Sequence, residues 1–391
     1  MAFAERVVIV GGGIGGLATA LSLSRSGGAG HIQVLERAPR FAEIGAGLQL
    51  APNALHALTQ IGVPEEAIAA CGFHPSRLAL MDALTGQLIT ALDVGEPFLR
   101  RYGRRYTVMH RGDLLQLLLD EATSRSNIEL CAATTVVGAA GNGRSATVDT
   151  ADGASHHADL VVGADGLHSV LRDIIIGESE LVLSGYVSYR GVLPFDRLAD
   201  VAGGEDMLIW CGPGMHLVQY PIRRGELYNQ VVCFRSDRYS PEHDNWGTAG
   251  EIDSHYENAC PAVRAGVELI DRERNWKMAD RAPVDSWISG RLVLLGDAAH
   301  PMLQYVAQGA CQALEDAACL GQSLAQSATV DDALSTYVRI RAPRTARVQH
   351  SARMFGQFLH LDGMGATVRN FLLRRRATDD YSESEWLHGY R

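Results

Sequence analysis

Residues 6–36 constrain the fold more than any other stretch. Arg6-Val-Val-Ile-Val10 is short, β-branched and nearly all apolar, the pattern of a parallel strand buried on both faces. Gly11-Gly12-Gly13-Ile14-Gly15-Gly16 follows at once, and Leu17 to Ser26 then reads as a helix capped by Gly27-Gly28. A second buried run, His31 to Leu35, ends at Glu36. Strand, glycine turn, helix, strand and acid make one βαβ unit in about 30 residues. Gly11 permits the tight turn, Gly13 lets the backbone approach a diphosphate, and Gly16 lets the helix pack on the strand. Gly15 belongs to the same turn. The diphosphate of a dinucleotide would rest at the helix N-terminus, where unpaired N–H groups and the dipole favour negative charge. Glu36, 20 residues after Gly16, can accept hydrogen bonds from a ribose 2′-hydroxyl and repel a 2′-phosphate. That suits FAD or NAD rather than NADP.

Two later segments bear on which dinucleotide binds. Asp159-Leu-Val-Val-Gly-Ala-Asp-Gly166 and Arg291-Leu-Val-Leu-Leu-Gly-Asp297 each put an acid, Asp165 or Asp297, at the end of a buried strand. Open α/β sheets bind ligands at those carboxyl ends. An acid there can hold ribityl hydroxyls, which a nicotinamide dinucleotide lacks. The alternative is that both acids only cap the helices that follow.

Between these segments the pattern changes. Tyr186–Leu193, Met207–Cys211, His216–Ile222 and Leu227–Phe234 are rich in Val, Tyr and Ile and broken by Gly, Pro and Arg turns, which predicts an antiparallel sheet. Trp276 to Asp280 adds an edge strand, and Ile128 to Val148 suggests a small antiparallel meander. Helices are expected over Leu114–Ala122, Gly309–Ala325 and about Asp332–Asn370, and the polar tail after Ala377 reads as loose. The fold class is therefore α/β: an FAD-binding Rossmann-like domain with an inserted antiparallel β-sheet substrate domain and C-terminal helices. The expected boundaries are 1–75, 101–180 and 281–340 for the first, 76–100 and 181–280 for the second, and 341–391 for the helical segment.

Charge and cysteine usage exclude other classes. With 35 basic and 45 acidic residues the formal net charge is -10, which gives no electrostatic reason to bind nucleic acid. The seven cysteines form no CxxC pair, which argues against a disulfide framework or a structural zinc site and fits a reducing cytoplasm. No signal-peptide pattern opens the chain, and no apolar run approaches the roughly 20 residues that span a bilayer. The expected location is cytoplasmic.

The three strand-end motifs, in this order and spacing, resemble the flavoprotein aromatic hydroxylases typified by para-hydroxybenzoate and salicylate hydroxylases. The likeness runs from Val7 to about Ala346 and includes Tyr337-Val-Arg-Ile-Arg-Ala-Pro-Arg344. It implies that Gly11, Gly13, Gly16, Glu36 and Asp297 hold FAD, and that Arg111, in Met109-His-Arg-Gly-Asp-Leu114, contacts its diphosphate and ribityl side. Asp165-Gly166 matches a motif tied to both FAD and the reduced nicotinamide, and Gly309 and Ala310 complete the cofactor set. The single glycine fingerprint fits, because this family has no separate nicotinamide domain. Within the family, His300–Ala310 and Met215–Asn229 are similar to the 3-hydroxybenzoate 6-hydroxylase branch. That likeness implies hydroxylation of 3-hydroxybenzoate to gentisate with NADH and oxygen, with His216, Tyr220 and Gln304 facing the substrate. A homodimer is common in the family.

The chemistry these residues would supply is general base catalysis. The flavin delivers an oxygen of modest electrophilicity, so removing the phenol proton activates the ring. An imidazole titrates near neutral pH, so His216 fits the role. His216 and Tyr220 are four apart, and even spacing along a strand points both to one face. Gln304 would hold the phenol oxygen. His300 reads as structural, Tyr186, Tyr189 and Trp210 as packing, and Arg190 as either a carboxylate anchor or a sheet-edge charge. The Ile44–Gln49 loop could let the flavin move outward. Other rings, such as salicylate or 6-hydroxynicotinate, and a flavoprotein oxidase or dehydrogenase without oxygen insertion, are the rival readings.

Overall fold

The first apolar run builds a strand, Ala4–Val10, at the heart of a six-stranded sheet. The structure is a computed structural model that describes residues 4–42, 46–177, 179–198 and 203–391. In that sheet Ala4–Val10 pairs in parallel with Ala29–Leu35 on one side and Leu160–Gly163 on the other. Leu292–Leu294 continues the parallel order, and Ile288–Ser289 closes that edge antiparallel. Val7, Ile9, Leu160, Val161, Val162 and Val293 are all at most 1% exposed, which is why these strands read as unbroken apolar runs rather than alternating ones. Fully burying one such side chain contributes about 1.5–3 kcal/mol.

The helix Ile14–Ser26 follows the glycine turn and ends at Gly27 with φ 68°, a left-handed cap that donates to the carbonyls of Leu23 and Ser24. It packs on the helix Gly309–Gln326, which descends from the third strand end. Both helices therefore start at the carboxyl edge of the same sheet.

The second sheet has seven strands, in the order Asn275–Asp280, Val182–Pro194, Leu227–Arg235, Met215–Ile222, Met207–Gly212, Arg77–Asp82 and Leu88–Asp93. It is antiparallel except that Met207–Gly212 runs parallel to Arg77–Asp82. Those two strands come from segments far apart in sequence, so no hairpin forces them antiparallel.

Two expectations need correction. Ile128–Cys131 is no part of a meander. It is the outer strand of the six-stranded sheet, parallel to Ala29–Leu35. An edge strand is covered on one side only, so its half-buried residues imitate alternation. The three-stranded antiparallel meander spans Val136–Ala158 instead. The C-terminal helices fall where expected, over Val330–Leu359 and Gly363–Leu373, separated by His360-Leu361-Asp362. The tail is not loose. Tyr381 is 6% exposed and donates to the carbonyl of Asp93 at 2.8 Å, while Leu387 and His388 are buried. Sparse apolar anchors in a polar segment suffice to pin it. Ile44 and Gly45, in the proposed hinge loop, lie outside the described residues, while Gly47–Leu50 forms a strand paired with Thr107–His110.

Candidate active site

The glycine turn is shaped by close approach. A Cβ on Gly16 would stand 1.9 Å from the carbonyl oxygen of Gly11, and one on Gly11, at φ 106°, would stand 2.3 Å from that of Ala164. No side chain caps Ile14–Ser26, and no acid occupies its first turn, so its N–H groups stay available to an anion. The helix Gly309–Gln326 also begins without a side-chain cap or an acid in its first turn.

These features open on one cavity of about 490 Å³. Gly11, Gly13, Gly15, Glu36, Arg111, Asp165, Asp297, Gly309 and Ala310 all line it, and Gly16 lies behind its wall. Glu36, Asp165 and Asp297 therefore converge on a single space. Sequence reasoning missed Thr134, Thr135 and His168, which also line it. Glu36 orders the turn, because its carboxylate accepts from the backbone N–H of Gly12 and of Ala38 at 2.8 Å each. Asp165 does both jobs considered for it. It lines the cavity, and it also accepts from the Ser169 hydroxyl and from the Leu171 N–H at the start of the next helix. Burial pushes its carboxyl above the usual range, against the pull of those hydrogen bonds. Asp297 has no such bond and is exposed to the cavity.

The strand-end loops are tied to each other. Arg172 donates from one Nη to the carbonyls of Ala298 and Ala299, both at 2.8 Å, and burial, with Arg281 nearby, lowers it to about 10. The Gly296 N–H donates to Asp316, which also holds His300 Nε2 at 2.6 Å and Arg341 Nε at 2.6 Å. Burial alone would raise Asp316, but His300 and Arg341 outweigh it and hold the carboxyl at about 2. His300 is thus part of a buried ionic support.

A second cavity, of about 220 Å³, shares Arg111, Asp297, Gly309 and Ala310 with the first. Its other walls come from the seven-stranded sheet and from the turn after Pro301. His216, Tyr220 and Gln304 all line it, so the two strand residues do share one face. Burial pushes the Tyr220 phenol up, and its ring lies where a Cβ on Gly47 would be, 2.7 Å away. Gln304 opens a short 3-10 turn that Ala307 closes at φ 52°, a left-handed conformation costly for a non-glycine residue.

Arg190 lies half-buried in this cavity rather than at a sheet edge. It donates to Gln304 Oε1 at 2.7 Å and stacks over Trp276. Burial, with the Arg111 cation near, lowers its pKa. His216 is 2% exposed, and its Nδ1 lies 2.8 Å from His360 Nε2. Burial and His360 hold the His216 imidazole well below its usual range, so it is neutral at pH 7. His360 was not anticipated. It lies 144 residues away, and no local spacing connects it to His216. Tyr189 and Trp210 are packing residues: Tyr189 donates to the carbonyl of Gly247 and Trp210 to Gln219.

A cavity built from a dinucleotide fingerprint, three strand-end acids and two uncapped helix N-termini, with a small polar pocket opening from it, fits a flavoprotein that works on a ring. The chain belongs to the FAD binding domain family, whose model matches residues 5–352, and it is an FAD-dependent monooxygenase of the flavoprotein aromatic hydroxylases. It is similar to 3-hydroxybenzoate 6-hydroxylase of Polaromonas naphthalenivorans, at 39% identity over 390 residues, covering 98% of this chain and 96% of that one. The 3-amino-4-hydroxybenzoate 2-monooxygenase of Streptomyces cremeus is 34% identical over 386 residues, covering 98% and 95%. Among solved structures, a variant of Klebsiella pneumoniae HpxO complexed with FAD shares 25% identity and a TM-score of 0.84, over 95% of each chain. No helix among the described residues is long and apolar enough to cross a membrane.

Proposed function

We propose that this enzyme hydroxylates a phenolic aromatic acid, 3-hydroxybenzoate to gentisate, with NADH and molecular oxygen. The observation that carries this reading is the polar set of the smaller cavity: Arg190 bonded to Gln304, together with His216 and Tyr220, next to the wall shared with the FAD cavity. A volume of about 220 Å³ suits a single substituted ring rather than a drug-sized ligand.

Gly11, Gly13, Gly15 and Gly16 shape the FAD diphosphate site, and Glu36, Arg111, Asp165 and Asp297 hold its polar edges. When bound, FAD would supply the oxygen activation. The chain's own residues bind and prime the ring. Arg190 is the cation for the carboxylate, with the planar fork that carboxylates match. Gln304, anchored by Arg190, orients the phenol oxygen. His216, neutral and with only Nδ1 engaged, offers Nε2 as the base for the phenol proton. Tyr220, kept protonated by burial, serves as a hydrogen-bond donor. Met207, Ile209 and Val218 line the same cavity and keep water from it.

The names of the relatives keep the 3-amino-4-hydroxybenzoate ring in the test. Purified enzyme is given NADH and labelled oxygen with 3-hydroxybenzoate, 3-amino-4-hydroxybenzoate, salicylate and 6-hydroxynicotinate in turn. Gentisate carrying one labelled oxygen is expected from the first, at the highest kcat/KM. NADH oxidation that sends the label to hydrogen peroxide and to no aromatic product would make the protein an oxidase and overturn the reading.

A further inference from the structure

The contact between His216 and His360 has no role in binding the ring or the cofactor. Two buried imidazoles lie 2.8 Å apart, His216 on the pocket wall and His360 at the end of the long helix Val330–Leu359. His360 is stacked on Tyr186 at 4.4 Å between ring centroids and keeps 9% of its surface open. It touches neither cavity. We infer that His360 takes over the proton that His216 removes from the substrate phenol and passes it to solvent. This rests on the reading of His216 as the base.

The need for such a path follows from burial. An imidazole held far below its usual range is a poor place to leave a proton, so the phenol ionises only if the proton moves on. Burial, and then the Arg369 guanidinium, hold His360 down to about 4, so it too passes a proton without keeping it. The other titratable groups around the pair are Tyr186, Tyr305, Tyr256, whose hydroxyl donates to the His216 carbonyl, and the strand neighbours Cys211 and Cys233. Burial pushes all five up, so none of them changes charge near neutral pH.

The step balances with no electron moved. The phenol O–H breaks as His216 Nε2–H forms, and His216 Nδ1–H breaks as His360 Nε2–H forms. His360 Nδ1–H is then lost to water, and a phenolate remains on the ring. His360 acts through His216 and is a positioning and relay residue, not one that touches substrate.

The test follows phenolate absorbance after a pH jump on the FAD-loaded enzyme holding 3-hydroxybenzoate. His360→Gln keeps an acceptor for His216 Nδ1 but carries no proton. It is expected to slow phenolate formation at least tenfold with the flavin spectrum and the substrate Kd unchanged. His360→Ala is expected to be slow too, and to recover when free imidazole is added, which a merely structural role would not produce. Equal rates in the native enzyme and His360→Gln would overturn the relay while leaving the substrate reading intact. No phenolate in the native enzyme would remove both. Should a variant lose its FAD, the native rate in mixtures of light and heavy water decides. A curved dependence means two protons move together, and a straight line overturns the path.

Discussion

The two cavities are built on opposite principles. The larger takes its shape at the glycine turn, where Cβ atoms on Gly11 or Gly16 would run into neighbouring carbonyls, so chain conformation sets it. The smaller is lined by side chains from distant strands and turns, so its shape comes from tertiary packing. The first tolerates almost no added atom at Gly11 or Gly16, whereas the second can change its contents one side chain at a time.

If that contrast is right, the largest loss comes from adding a methyl group to the backbone site. Gly16→Ala is expected to abolish FAD retention or folding, since its Cβ would stand 1.9 Å from the Gly11 carbonyl oxygen, well inside contact distance. A yellow protein with unchanged flavin absorbance would break the comparison. The ionic support beneath the strand-end loop should come next. Asp316→Asn takes the carboxylate from His300 and from one side of the buried Arg341, which keeps Glu315, and a loss of about 3 kcal/mol is expected in denaturant unfolding. The pH dependence has a definite sign. Asp316 is depressed to about 2 when folded, so its contribution is present above the unfolded value near 4 and fades as pH falls through 2. Acid unfolding curves should therefore steepen in that window in the native enzyme and lose that component in Asp316→Asn.

Changes in the side-chain pocket should leave the flavin in place. His216→Ala is expected to slow hydroxylation by roughly a hundredfold with FAD bound, read from single-turnover rates. Arg190→Met should raise KM for a carboxylated ring by roughly tenfold to a hundredfold and barely alter an uncharged phenol. An equal effect on both rings would remove Arg190 from carboxylate binding. The smallest effect belongs to the tail, where Tyr381→Phe removes the bond to Asp93 and should cost about 1 kcal/mol in thermal unfolding.

The same contrast explains what the sequence made legible. Glycines 11 to 16, Glu36 and the acids at 165 and 297 act within their own strand and turn, so local spacing announces them. His216 and Tyr220 were reachable because a strand's two-residue period fixes their common face. His360, Tyr305 and the inward turn of Arg190 depend on contacts across more than a hundred residues, as Arg190 with Gln304 and His216 with His360 illustrate. The outer strand Ile128–Cys131 and the tail misled for a related reason. Partial cover blurs the apolar pattern on which strand and loop assignments rest, and a few anchors such as Tyr381 and Leu387 leave almost no statistical trace.

Arg111, Asp297, Gly309 and Ala310 form a party wall between the two rooms. Descendants seeking a new ring cannot remodel that partition without disturbing the tenant next door. Innovation is channelled to the opposite side, where Met207, Ile209, Val218 and Tyr220 answer to the visiting molecule alone.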